Sequence, residues 1–186
     1  LASLRYQERR RIDLGRAGSR LFVNNFGVGF DALVSSCQKR FKVFKGNLGY
    51  LVSVLSVLYN FKGYEVQIMT DKYRFCEKIM SVSMGNGQFH GGCFKLTPEA
   101  VIDDGLLDIC IISQISKLKF LFNIPKAIKG THHRLKEIKS FRATEVFLSA
   151  KEPLFVHFDG EVLSKAVKEI NVEILPASLE VFMGKT

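Results

Sequence analysis

Met84–Ile112 reads MGNGQFHGGCFKLTPEAVIDDGLLDICII, and the architecture is best approached from it. Glycines at Gly85, Gly87, Gly91 and Gly92 give a backbone that can reach φ > 0 or approach another group closely. Pro98 and the acidic turn Asp103-Asp104-Gly105 follow. Leu106–Ile112 is then an apolar, β-branched run that reads as a buried strand. Backbone freedom, carboxylates and a rigid strand in one stretch suit a site held by main chain and completed by a metal or phosphate. Taken singly, such glycines also make ordinary turns, and D-D-G is a common tight turn. The order of motifs over the whole chain has to separate these readings.

Strand patterns lie on both sides. Tyr64–Thr70 alternates, Asp71-Lys72 makes a turn, and Tyr73–Lys78 returns as a hairpin before a further strand at Ile79–Met84. Downstream, Glu137–Phe141, Ala143–Ala150, Leu154–Phe158, Ile170–Leu175 and Ser178–Phe182 are strand-like, as is Leu21–Phe30 upstream. Helical spacing is clearest at Asn47–Tyr59, with Asn47 as N-cap and Gly63 ending the segment. A second helical stretch runs from Asp31, as N-cap, to about Phe44. Lys117–Ile128 is basic and apolar at roughly helical spacing, interrupted by Pro125. The expected fold is mainly β (α+β): an antiparallel β-sandwich with two or three inserted helices and no βαβ alternation. Residues 21–186 form the domain, and residues 1–20 are a linker or a connecting strand from a preceding domain.

With 186 residues, 47% hydrophobic, the chain is long enough for one domain with a proper core. No window approaches the roughly 18 uncharged apolar residues that span a bilayer. The start, LASLRYQERRRID, is polar and basic, unlike a signal peptide, and reads as mid-protein sequence. The four cysteines form no C-x-x-C pair and fit small buried side chains in a reducing cytoplasm. The net charge of +9 gathers in Arg5–Arg20, Lys39–Lys45 and Lys117–Lys139. A positive field draws nucleic acid, anionic headgroups or phosphorylated substrates.

No Walker motif, no complete dinucleotide fingerprint and no G-x-S-x-G elbow occurs. Two acidic groupings remain: Asp103, Asp104 and Asp108 around Gly105, and Asp159-Gly160-Glu161 after the apolar run Leu154–Phe158. D-G-E in such a place sets two carboxylates where one can accept a proton or hold a cation, although D-G alone is also a hairpin signal.

Read in order, these pieces resemble one family. Asn24-x-x-Gly27-x-Gly29-x-Asp31-Ala32, Gly46-x-x-x-Tyr50, Asn86-Gly87-x-x-x-Gly91-Gly92, Pro98-x-Ala100-x-x-x-Asp104-Gly105-x-Leu107-Asp108 and Asp159-Gly160-Glu161 look like bacterial lipid kinases of the diacylglycerol kinase type. Sphingosine kinases and, more distantly, NAD kinases share that superfamily. The resemblance implies the C-terminal β-sandwich domain of an ATP- and Mg²⁺-dependent enzyme that phosphorylates a lipid hydroxyl. The family's N-terminal α/β domain carries G-G-D-G-T, which this sequence lacks, so ATP would be bound mainly by that missing domain and the fragment alone would be inactive. The resemblance assigns Glu161 as proton acceptor, with Asp159 as the close alternative, and Asp104, Val101 and Leu106 to a Mg²⁺ site. Cys93 stands where a third glycine is frequent. The implied partners are the lipid, ATP, the N-terminal domain and an anionic membrane surface, with a second copy of the chain left open. The implied place is cytoplasmic, peripheral at the inner membrane surface. NAD kinase-type activity and a non-catalytic module binding anionic lipid surfaces are the alternatives, and nucleic acid is supported by charge alone.

Overall fold

The computed structural model describes residues 8–40, 47–91, 93–163 and 165–183. Its strands are β1 (Glu8–Ala17), β2 (Arg20–Phe22), β3 (Asn25–Gly29), β4 (Tyr64–Met69), β5 (Arg74–Gly85), β6 (Leu107–Ser113), β7 (Ile138–Ala143), β8 (Glu145–Leu154), β9 (Val156–Phe158), β10 (Glu161–Val162) and β11 (Val167–Met183). Among the described residues the helices are α1 (Phe30–Arg40), α2 (Asn47–Asn60) and α3 (Lys117–Lys129). The sheet runs β10-β9-β3-β5-β4-β8-β11-β1-β2, with β6 and β7 branching from β5. It curls over its apolar face and closes on Phe22, Phe26, Val82, Ile109, Leu148 and Val172. This is the mainly β architecture with inserted helices that the sequence patterns predict.

Several elements differ in extent from the sequence reading. The stretch expected as linker or connecting strand is β1 over Glu8–Ala17, paired along β11 with Ile12 and Leu14 buried. Its pattern is obscured by arginines whose partners are distant in sequence: Arg9 with Glu180, Arg10 with Asp103 and Arg16 with Glu173. Tyr73–Lys78 and Ile79–Met84 are one strand, β5, which pairs with β4 over its first half and with β3 and β6 over its second. A bulge at Met80 puts it in the cluster beneath the helices, whereas Ile79 and Val82 both enter the main core. Ile170–Leu175 and Ser178–Phe182 likewise merge into β11, which passes through Pro176 and a left-handed Ala177.

Pro125 does not interrupt α3, which runs on to a left-handed Gly130 cap. Asp31 lies in the first turn of α1 and not at its cap. The expected continuation of α1 to Phe44, Gly46, the lysines from Lys39 to Lys45 and the Asn47 cap fall outside the described residues and side chains. Cys110 is buried as expected, but Cys76 and Cys93 are exposed, and all four cysteines are free thiols. No helix among the described residues is long and apolar enough to cross a membrane.

A second apolar cluster sits between sheet and helices. Phe30, Val34, Val54, Leu58 and Met80 form it, with Phe120, Leu121 and Ile124 of α3 packed against it. This cluster frames the cavity described next.

Candidate functional site

Strand alternation builds the floor of the site. In β9, β3, β5 and β6 one small or polar residue stands between two core residues: Val156-His157-Phe158, Phe26-Gly27-Val28, Val82-Ser83-Met84 and Ile109-Cys110-Ile111. The flanking residues enter the main core, so the central ones face the helices. Register aligns them in one row across the sheet, His157–Gly27–Ser83–Cys110, extended by Ser140 of β7.

Asp31 sits over the gap that Gly27 leaves in this row. A Cβ on Gly27 would lie 2.1 Å from His157 Nε2 and 2.3 Å from Asp31 Oδ2, which makes glycine necessary there. Ser83 Oγ donates to Asp31 Oδ2 at 3.2 Å, and His157 Nε2 approaches the same oxygen at 3.3 Å. The Gly160 amide donates to His157 Nδ1. With Nδ1 accepting that amide, Nε2 carries a proton and faces Asp31. The sequence patterns make Asp31 an N-cap and part of the N-x-x-G-x-G-x-D motif, and they assign His157 no role. The polar residue inside each apolar strand was the available signal.

The D-G-E turn follows β9, and its two carboxylates differ. Asp159 has φ 49°. Its carboxylate accepts the backbone N–H groups of Val23 at 2.8 Å, Asn24 at 2.9 Å and Asn25 at 2.8 Å. It ties the β2–β3 connection to the D-G turn. Glu161 opens β10 with its side chain exposed, and among the described residues it has no hydrogen bond or ion pair. Asp159 and Glu161 meet in an open concavity with Arg20, Leu21 and Phe158.

Val101, Asp104 and Leu106 occupy the loop before β6, where Gly105 has φ 74°. Asp104 Oδ1 accepts the Leu106 amide at 3.1 Å, and its Oδ2 lies 3.9 Å from Arg142 Nη1. Asp13, buried within β1, holds this loop by accepting the Gly105 amide through Oδ2 and the Ala177 amide through Oδ1. One carboxylate with nearby main-chain carbonyls is an oxygen-only donor set of the kind Mg²⁺ takes with water. Among the described residues no cluster of three or more His, Cys, Asp or Glu side chains suits a metal.

Asp104 and Glu161 share no contact and no cavity among the described residues. They are joined through Asn86 in the glycine-rich loop: its buried Nδ2 donates to Asp13 O and Val23 O, both at 2.9 Å. Asp13 holds the Asp104 loop, and Val23 donates to Asp159. The loop thus bridges the two acidic turns through main chain and one buried amide, and Asn86 and Asp13 went unassigned in the sequence reading. His132 and His133 do not act as a pair: His132 is buried against Leu96 O and Cys110, while His133 is exposed on Gly130 O.

Between the sheet and the helices lies a cavity of about 280 Å³, which His157 of the polar row lines. Phe30, Val54, Ile112, Phe120 and Ile124 give it apolar walls, and Asn25, Asp31, His90, His157 and Asp159 line its polar side. Two buried acceptors among these lack partners in the described structure, His90 Nδ1 and Asn25 Oδ1. Thr97 Oγ1 donates to Gly87 O at 2.8 Å, so it accepts from His90 Nε2–H at 2.9 Å and leaves Nδ1 as a bare acceptor. Burial pushes the His90 pKa down to about 4, so the ring is neutral at physiological pH. An apolar chamber with one polar side suits an apolar ligand that carries a polar head.

Residues 24–183 match the family described as YegS C-terminal NAD kinase beta sandwich-like domain. A relative named "Probable lipid kinase YegS-like" from Shewanella frigidimarina (strain NCIMB 400) is 33% identical over 175 residues, covering 91% of this chain and 54% of that protein. A diacylglycerol kinase of Bacillus subtilis (strain 168) is 27% identical, covering 82% of this chain and 50% of that protein. A crystal structure of a diacylglycerol kinase from Bacillus anthracis str. Sterne shares the fold with a TM-score of 0.63 at 18% identity, covering 93% of this chain and 53% of that one. The chain spans about half the length of the curated relatives it matches. By the extent of that match, the chain belongs to the YegS C-terminal, NAD kinase β-sandwich-like family.

Proposed function

We propose that this chain is the acceptor-side domain of a lipid kinase, which transfers the γ-phosphoryl group of ATP to the hydroxyl of a diacylglycerol-like lipid. The observation that carries this reading is the cavity. Its apolar walls fit acyl chain, its polar side fits the glycerol head, and the D-G turn that lines it leads directly into Glu161. The names of the relatives favour the same substrate class. No G-G-D-G-T occurs in the chain, so the reading gives nucleotide binding mainly to an α/β domain outside these residues.

Glu161 is the better proton acceptor of the D-G-E pair. Asp159 spends its carboxylate on backbone amides, whereas Glu161 is unengaged. As the lipid oxygen bonds to the γ-phosphorus and the bond to ADP breaks, the hydroxyl proton passes to a Glu161 carboxylate oxygen. Asp159 is a positioning residue that sets the turn. Asp104, with the main-chain carbonyls of Val101 and Leu106, would hold Mg²⁺, which when bound neutralises phosphate charge. Contact with an anionic membrane surface would give access to the lipid.

The test is phosphorylation of dioctanoylglycerol by the enzyme that carries this domain together with its nucleotide-binding domain. Glu161→Gln is expected to lower kcat by about 10²–10⁴ with little change in KM for the lipid. The 186-residue chain alone is expected to transfer no phosphate. An unchanged kcat in Glu161→Gln overturns the assignment.

A further inference from the structure

The outer sides of α3 and of the end of α2 carry the three most exposed large apolar side chains among the described residues. Phe120 and Ile124 of α3 line the cavity. The opposite side bears Leu118 at 69% exposure and Phe122 at 78%. At the adjoining end of α2, Tyr59 is 77% exposed and is joined to α3 by Lys117, whose Nζ donates to Tyr59 O and lies 5.4 Å from the ring centroid. The helix sequence KLKFLFNIPKAIK contains lysines and no acidic residue. Lys119 is held by Glu137, but Lys126 and Lys129 are exposed and have no carboxylate partner among the described residues.

This separates α3 from the other basic stretch that is described. Of the β1 arginines, Arg9 and Arg16 pair with Glu180 and Glu173 across the strands and Arg10 pairs with Asp103. Three of the four are thus locally balanced, and Arg11 alone is exposed without a carboxylate partner among the described residues. On α3 uncompensated ammonium groups surround exposed Leu and Phe side chains. A second copy of the chain meets this face poorly, because it would set the same lysines against each other. An anionic bilayer meets it well, taking the apolar side chains below the headgroups and the ammonium groups among the phosphates.

We propose that the outer face of α3, with Tyr59 of α2, docks on an anionic bilayer surface, so that one helix touches the membrane on one side and walls the cavity on the other. Docking stands on the α3 face itself. Only its use for delivering a lipid into the cavity rests on the lipid-kinase reading. An apolar ligand would then move from bilayer to cavity past the ends or flank of α3 without crossing bulk water.

Co-sedimentation of the 186-residue chain with vesicles of phosphatidylcholine, or of equal phosphatidylcholine and phosphatidylglycerol, tests this. The expected result is binding to the mixed vesicles that weakens with salt, and little binding to phosphatidylcholine alone. Each lysine near the surface is worth about fivefold in partitioning, so Lys126→Gln with Lys129→Gln should lower it about twenty-fivefold. Phe122→Ser should lower it about tenfold or more. These side chains are exposed, so circular dichroism should be unchanged. Absence of binding to mixed vesicles, or equal binding by the variants, overturns the proposal. So does a dimer in light scattering that Phe122→Ser dissolves without any vesicle binding, which would assign the face to a second copy. Binding of monomeric dioctanoylglycerol needs no vesicle, so failure of docking and failure of the lipid reading are told apart.

Discussion

Replacing Asp159 by alanine should destabilise the domain by about 3–5 kcal/mol. The carboxylate accepts the amides of Val23, Asn24 and Asn25. The Val23 and Asn24 bonds are exposed, so water can replace the carboxylate at about 0.5–1 kcal/mol each. The Asn25 amide belongs to a buried residue and costs about 1–2 kcal/mol when left without its partner. Alanine at φ 49° adds on the order of 1 kcal/mol, because Asp tolerates the left-handed region better. Asp159→Asn keeps the turn preference and one oxygen, so it should cost about 1 kcal/mol. Glu161→Ala, which removes no bond in the described structure, should stay within about 0.5 kcal/mol. Urea denaturation followed by circular dichroism measures all three, and the midpoint should move without a change in m. For a domain of this size the Asp159→Ala loss corresponds to roughly 6–20 °C in Tm. A loss below about 1 kcal/mol for Asp159→Ala would refute the reasoning: Asp159 would then be free for proton transfer, and its separation from Glu161 would fail.

Other perturbations have equally definite outcomes. Gly27→Ala places a methyl 2.1 Å from His157 Nε2 and 2.3 Å from Asp31 Oδ2. It should cost about 2–3 kcal/mol by displacing both, measured by thermal melts. The His90 pKa of about 4 lies below its ordinary value of 6.5, so the unfolded chain binds more protons between those pH values. Stability should therefore be intact above pH 6.5 and fall by up to about 3 kcal/mol as pH drops to 4. His90→Gln should flatten that slope in urea midpoints taken across the interval; burial also holds the His132 pKa down, so some slope should remain.

Much of the architecture is legible in the sequence because its strands are short, apolar and separated by turn residues. What stayed hidden depended on partners far along the chain. β1 looks patternless until Arg16 is seen opposite Glu173 and Arg9 beside Glu180. β5 and β11 look broken at Met80 and at Pro176-Ala177, where one strand adjusts its backbone and continues. Glu161 and Asp159 were visible as a pair, but only coordinates show that Asp159 is consumed by amides. Nothing in the linear pattern joins His157, Gly27, Ser83 and Cys110, and cross-strand register alone makes them one row.

The central claim is that the chamber between the sheet and α3 receives a lipid alcohol. Titrating the isotopically labelled chain with monomeric dioctanoylglycerol, and following backbone and imidazole resonances, tests it most directly. Saturable shifts are predicted at Asn25, Asp31, His90, Phe120 and Ile124, which line the cavity, and at Glu161, whose carboxylate would take the hydroxyl proton. Saturation without change at these residues, or shifts confined to the outer face of α3, would contradict the account.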